Sequence, residues 1–269
     1  MAGALIAQEA RLYQEAGVTP GEIWRPWTVV ERHEETADVT SFLLRPADGG
    51  PAPAAKAGQY VSVRTRMPDG VHQVRQYSLS ADPGGDLRRI TVKRVAGTDT
   101  APNGEVSHLL HRTVRPGDEL TVSAPCGDVS LDEADTPLVL VSAGIGCTPM
   151  VGMLAHLAAT GSTRRVLVLH ADTTPPAHAL RAETRELADR LPHAATEFWY
   201  EQPTPAEPDA HTGLMDLTGL DVPTDATVYL CGPLPFMRTI RTRLLSLGIP
   251  AHHIHYEVFG PDLWLPDTA

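Results

Sequence analysis

Residues 137–149 read Pro137-Leu138-Val139-Leu140-Val141-Ser142-Ala143-Gly144-Ile145-Gly146-Cys147-Thr148-Pro149. The opening run, 137–141, is continuously apolar, the mark of a strand buried on both faces. Glycines at the end of such a strand let a dinucleotide's phosphates approach the backbone, and Pro149 suits the first turn of a helix. A bare Gly-x-Gly says little. Here the strand–turn–helix context gives Gly144, Ile145, Gly146, Cys147, Thr148 and Pro149 weight as a nucleotide-binding turn. A tight βα turn without a ligand is the competing reading.

Downstream, apolar runs and helical periodicity alternate. The pattern predicts a helix over about 149–159, a strand over 165–170, a helix near 178–191 and a strand over 196–201. It continues with a strand over 226–231, a helix over 234–247 and a last strand over 253–259. Strands alternating with helices imply a parallel sheet, here over residues 133–269. The proline-rich stretch 202–209 interrupts it as a loop. Cys231, Gly232 and Pro233 end an apolar strand on the edge where open sheets bind ligands, so Cys231 can face a bound ring. A small buried thiol fits the same residue. Asp172, at the end of the second strand, is placed to bond a ribose hydroxyl and favour NADH over NADPH.

Upstream, residues 22–132 read as β structure. Candidate strands are 27–33, 39–46, 59–66, 72–80, 88–95 and 119–125, short and divided by Gly/Pro/Asp turns. Six such strands predict an antiparallel barrel, interrupted by one helix over 105–113. Residues 1–21 form a separate segment. Leu5, Ile6, Leu12 and Tyr13 share a helical face, and Gly17 is a natural stop.

The barrel carries Arg75-Gln76-Tyr77-Ser78 on one strand. Alternate residues share a face, so Arg75 and Tyr77 point the same way. Arginine can fork onto a pyrophosphate, tyrosine can stack on a flat heterocycle, and Ser78 can bond a ring nitrogen. An ordinary amphipathic strand fits equally well. Gly104, Glu105, Val106 and Ser107 open the lone helix, whose free N–H groups suit a phosphate, or form a plain turn. In the tail, Phe259 can lie over a flavin and Glu257 can tune its potential, or both can end an edge strand.

Bulk composition narrows the function further. A chain of 269 residues with 42% hydrophobic and 20% charged residues suggests two globular domains. A net charge of -11 argues against nucleic acid as partner. No apolar stretch is long enough for a membrane helix, and the N-terminus lacks the basic start of a signal peptide. Three scattered cysteines, Cys126, Cys147 and Cys231, make neither a disulfide framework nor a metal pattern, so a cytoplasmic protein is expected. His108 with His111, and His252, His253 and His255, lack partners at metal-ligand spacing, so no metal site is expected.

Taken in order, RQYSLS, ITVKR, GEVSHLLH, APCGD, SAGIGCTPM and CGPLPFM resemble the ferredoxin-NADP reductase superfamily. TSFLLRPADG and the ending IHYEVFGP are similar to the reductase half of the flavohaemoglobins. The resemblance implies an FAD-binding barrel and an NAD(P)-binding domain. It assigns Tyr60, Arg75, Gln76, Tyr77 and Ser78 to FAD, and residues 104–107 to its pyrophosphate and ribityl region. It places residues 144–149 on the nicotinamide nucleotide, and Val258, Phe259, Gly260 and Pro261 against the flavin, with Glu257 influencing its potential. Cys147 stands where the family often has another residue.

The implied activity is hydride transfer from NADH, or NADPH, to FAD, followed by electron delivery to an acceptor. LIAQEARLYQEAG looks like the end of the last globin helix, leading into the link Glu22-Ile23-Trp24-Arg25-Pro26-Trp27. The globin itself is not among these residues. A separate haem protein or similar acceptor is therefore expected, with a homodimer through the N-terminal helix as a further expectation. A free-standing flavin or ferric reductase, a nucleotide-binding relic and a plain NAD dehydrogenase are the alternatives.

Overall fold

The computed structural model describes residues 23–97, 102–205 and 209–259. The expected helix over 5–17, with any dimer through it, and Gly260 and Pro261 lie outside these residues. The chain divides into two compact units between Ser130 and Leu131.

The first unit contains β1 (Trp24–Glu34), β2 (Val39–Pro46), β3 (Tyr60–Arg66), β4 (His72–Ser78), β5 (Arg88–Lys93), α1 (Glu105–Thr113) and β6 (Glu119–Ser123). The strands order as β4-β3-β6-β1-β2-β5, every pair antiparallel. A Leu79–Ile90 bridge and the bond from Ser80 N to Arg89 O (3.0 Å) join the outer strands, closing the sheet into a barrel. Alternate residues point inward: Trp27 and Val29, Phe42 and Leu44, Val61 and Val63, Ile90 and Val92 form its core. Val106 and Leu110 of α1 join the same core. A register shift between Val29 and Glu31 marks a bulge in β1, which pairs with β6 over 24–28 and with β2 over 27–34.

The second unit contains β7 (Leu138–Ala143), α2 (Cys147–Thr160), β8 (Val166–Asp172), α3 (Arg181–Asp189), β9 (Ala194–Tyr200), β10 (His211–Thr212), β11 (Thr227–Cys231), α4 (Leu234–Ser246) and β12 (Ile254–Glu257). Its sheet runs β10-β9-β8-β7-β11-β12, all parallel. Every residue of β7 is buried, as a strand covered on both faces requires. α2 ends at Gly161 in the left-handed conformation (φ 67°), which stops it cleanly. The chain winds outward from β7 to β10, then returns to β11 on β7's other side. That reversal makes a topological switch point between β7 and β11, where a crevice opens at the carboxyl ends of the strands.

Two expectations need correction. The helix expected near 178–191 begins only at Arg181, because Leu180 takes a left-handed conformation (φ 59°) and residues 175–177 form a 3-10 turn. β10 was not expected. Its two exposed residues pair only with the end of β9, a tertiary event with no local signal.

Candidate functional site

In the barrel, β3 and β4 pair with Tyr60 opposite Ser78, Val61 opposite Tyr77, Ser62 opposite Gln76 and Val63 opposite Arg75. Tyr77 and Arg75 therefore share the face of the core valines, and Tyr77 packs on that core. Burial raises the Tyr77 phenol above its ordinary range, against a smaller opposing pull from Arg75, so it stays neutral. Tyr60, Gln76 and Ser78 fall on the other face. The four-residue motif is thus split between two surfaces of one strand.

Arg75 is exposed, and its guanidinium donates to Val74 O (2.8 Å) and Gln73 Oε1 (2.9 Å). Gln73 in turn donates to Glu105 in the first turn of α1. The structure thus brings Arg75 and the start of α1 together through one glutamine. The N-cap, Gly104, provides no side-chain cap, so the first N–H groups of α1 are not closed off by a side chain. A Cβ on Gly104 would meet Ser107 Oγ at 2.8 Å and Val95 Cβ at 2.9 Å, so only glycine fits. Ser107 Oγ donates to Gly104 O (2.9 Å) and accepts from Val95 N (3.2 Å), shaping the turn. Val106 is buried in the core and offers its backbone alone.

Gly127, which the sequence alone gives no role, matters here. Its φ of +117° and missing Cβ let the Tyr60 ring lie close, since a Cβ would sit 3.0 Å from two ring carbons. Backbone bonds Tyr60 N to Cys126 O (2.9 Å) and Cys126 N to Tyr60 O (2.8 Å) fix the same approach. The quoted APCGD motif carried the signal.

The histidines of α1 are structural. His111 Nε2 lies 2.8 Å from Val92 O, and His108 Nε2 lies 3.0 Å from Val95 O. Among the described residues no group of three or more His, Cys, Asp or Glu could hold a metal ion.

In the second unit the two glycine turns meet at the switch point. A Cβ on Gly146 would overlap the backbone carbonyl of Cys231 and lie 2.8 Å from Gly232 N. Gly144 differs: it has φ +53°, and nothing lies within 4 Å of where its Cβ would be. That open backbone at the end of β7 can take a phosphate. Only Gly144 and Ile145 of the turn are half-exposed, while Gly146, Cys147, Thr148 and Pro149 are buried. Thr148 Oγ1 donates to Ile145 O (3.1 Å), and Cys147 Sγ donates to Ala179 O (3.7 Å).

Cys231 is fully buried, and burial first, then Glu257 and Cys147, holds its thiol well above the ordinary range. The structure gives it no surface toward a ligand, whereas Gly232 and Pro233 are accessible. Glu257 aligns with Cys231 across the β11–β12 pair, at the same carboxyl edge. Val258 packs against the core of its own unit, and Phe259 is half-buried.

Asp172, expected at a ribose, is held by its neighbours. Its side chain is only 6% exposed. One carboxylate oxygen accepts from Thr173 N (2.8 Å), and the other lies 3.5 Å from His170 Nε2. The carboxylate thus faces Thr173 and His170.

A barrel followed by a parallel sheet with glycine turns at its switch point defines a two-domain NAD(P)H flavoprotein oxidoreductase of the ferredoxin reductase type. The family described as Oxidoreductase NAD-binding domain matches residues 140–242. A flavohemoprotein of Chromobacterium violaceum is 45% identical over 273 residues, covering 97% of this chain and 67% of that protein. The FAD/NAD-binding domain of a nitric oxide dioxygenase from Vibrio cholerae superimposes with a TM-score of 0.82 at 39% identity, covering 88% of this chain and 99% of that one. A flavohemoglobin from Malassezia yamatoensis, with bound FAD and heme, gives 0.79 at 34% identity, covering 96% of this chain and 65% of that one. The chain belongs to the flavohemoprotein family and spans its FAD/NAD-binding reductase portion.

Proposed function

We propose that this chain oxidises a nicotinamide nucleotide through bound FAD and delivers the electrons to a separate one-electron acceptor, such as a haem protein. The observation that carries it is the pairing, on one chain, of the Arg75–Gln73–Glu105 link at an uncapped helix with the open Gly144 backbone at a switch point. When bound, the two cofactors supply the hydride transfer and the one-electron steps.

The protein's share is binding and orientation. Arg75, now bonded to Gln73, and the first N–H groups of α1 would hold the FAD pyrophosphate. Gln73 donates to the Glu105 carboxylate beside them. Tyr77 and Tyr60 supply ring faces, and Gln76 and Ser78 supply polar contacts from the opposite face of β4. Gly144 and Ile145 present backbone to the nicotinamide nucleotide, with Gly232 and Pro233 forming the facing turn.

The test has two parts. Purified protein should absorb in the flavin region, release FAD on denaturation and bleach on anaerobic NADH. NADH-driven reduction of cytochrome c, ferricyanide and a single-domain globin is then compared with free FMN as acceptor. If only free flavin or oxygen is reduced at a useful rate, the protein is a flavin reductase and the acceptor assignment fails.

A further inference from the structure

Beneath the carboxyl edge of the parallel sheet lies a buried polar cluster that hydride transfer itself does not require. His170, near the end of β8, and His178, in the segment leading to α3, stack face to face with centroids 3.7 Å apart and planes 20° from parallel. Both rings are buried. His170 Nδ1 lies 2.8 Å from Ser142 Oγ of β7, and its Nε2 lies 3.5 Å from Asp172 Oδ2. His178 Nδ1 lies 2.9 Å from the Tyr200 hydroxyl of β9, while its Nε2 is buried without a hydrogen-bond partner. One pair of rings thus joins the ends of three adjacent strands to the 173–180 segment.

The same segment is tied to the glycine turn. Ala179 O accepts from Cys147 Sγ, the first residue of α2, and Ser142 stands two residues before Gly144. The contacts form a closed loop: Gly144 turn, Cys147, Ala179, His178, His170, Ser142 and back. The loop also holds strain. Leu180, buried beside Ala179, is the one non-glycine residue with positive φ among those described.

We propose that His170 and His178 are positioning residues for the nucleotide site: stacked and neutral, they lock residues 173–180 against the Gly144 turn, and protonation releases that segment. The role toward nucleotide rests on the reading that the Gly144 turn binds it. The groups facing the pair are Asp172 from β8, Arg181 and Arg185 from α3, Cys147 from α2 and Tyr200 from β9. Asp172 favours a charge on His170, but burial outweighs it. Burial disfavours a charge on His178 most, and the other ring and the guanidiniums of Arg181 and Arg185 add to that effect. A proton on either ring puts charge into an apolar pocket and, on His178, beside two cations. The contact that gives way is the stack itself, and the strained backbone at Leu180 favours opening.

The experiment uses the full chain loaded with FAD, at about pH 7.5 and about pH 5, either side of the ordinary histidine range. Hydrogen exchange of the 173–180 amides, corrected for the intrinsic pH effect, is read beside barrel amides of β3. In parallel, KM and kcat for NADH are measured with ferricyanide. In acid, exchange of 173–180 should quicken about tenfold or more while β3 stays protected. KM should rise about fivefold with kcat changed less and FAD retained. His178→Asn keeps an acceptor for the Tyr200 hydroxyl but takes no proton, and His170→Asn does the same toward Ser142. Each should weaken both pH responses, and the double variant should flatten them. If either variant does not fold, the exchange profile of the unaltered protein decides. Equal protection of 173–180 at both pH values, or asparagine variants that keep the acid response, overturns the proposal. Flat exchange in a protein that oxidises NADH overturns the histidine pair alone. An exchange response in a protein that never oxidises NADH overturns the reading of the site, and the positioning role with it.

Discussion

Gly144 and Gly146 stand two positions apart and are required for unlike reasons. Gly144 faces open space and keeps the backbone bare for a ligand, whereas Gly146 lies against the Cys231–Gly232 backbone. Gly146→Ala should therefore destabilise the second unit by about 1–3 kcal/mol, the cost of forcing a methyl into a filled space. Urea unfolding followed by tryptophan fluorescence measures it. An unchanged midpoint would mean the turn relaxes freely. Arg75 is the opposite case, exposed and, among the described residues, bonded to its own strand's Val74 and Gln73. Arg75→Ala should leave folding intact and weaken FAD binding by about 1.5–3 kcal/mol, the range for a bond to a charged group. Titration of apoprotein with FAD reads this directly. Tyr77 serves both core and site, so Tyr77→Ala should lower FAD affinity by about 1–3 kcal/mol on the scale of aromatic stacking and also lower stability. Tyr77→Phe should keep both. At this scale the residue types were legible in sequence, but the division of Arg75 and Tyr77 from Gln76 and Ser78 decided their surroundings only once β3 was paired.

Among elements, the entry to β7 is held by a clamp. Arg164 donates through Nε to Thr136 O (2.9 Å) and pairs with Asp132 (2.8 Å). Asp132 also accepts from Thr227 Oγ1 (3.0 Å), and its N–H donates to the Tyr229 hydroxyl (2.9 Å). The clamp ties the segment before β7 to β8 and β11. Arg164 is 5% exposed at its side chain and Asp132 34%, so solvent reaches one partner only. Arg164→Ala should cost roughly 3 kcal/mol, near the low end for breaking a buried pair. Thermal or urea unfolding of the variant checks this, and a loss below experimental error would show that the pair is screened. None of this was visible in sequence, because Asp132, Arg164 and Thr227 meet only when three separate elements dock. Helix α1 was legible, since its apolar spacing is local. The start of α3 was not, because the buried Leu180 leaves the helical region to let His178 reach β8.

For the whole molecule, the two buried histidines set a direction for acid stability. Burial holds both below the ordinary histidine value, that of His178 further than that of His170. The unfolded chain therefore takes up their protons first as pH falls. Stability is full above about pH 6.5 and declines below it by up to about 1.4 kcal/mol per pH unit for each histidine, until the folded value is reached. Denaturation midpoints between about pH 8 and pH 5 should fall in that sense. His178→Asn should reduce the slope. An acid limb unchanged by that substitution would assign the loss to other groups.

The order of elements, the change from alternating strands to strand–helix repeats after residue 132, and the two glycine turns were determined by the sequence itself. They rest on local periodicity and on residues whose backbone freedom belongs to them alone. The tertiary structure decided which of those residues keep a surface. Asp172, well placed by position, turns inward to Thr173 and His170. Cys231, at the correct edge, is sealed by its neighbours. Gly127, given no role of its own by the sequence, seats Tyr60. Each outcome depends on packing between segments distant in the chain, and burial of a polar group is settled by the partners that arrive, which no local pattern encodes.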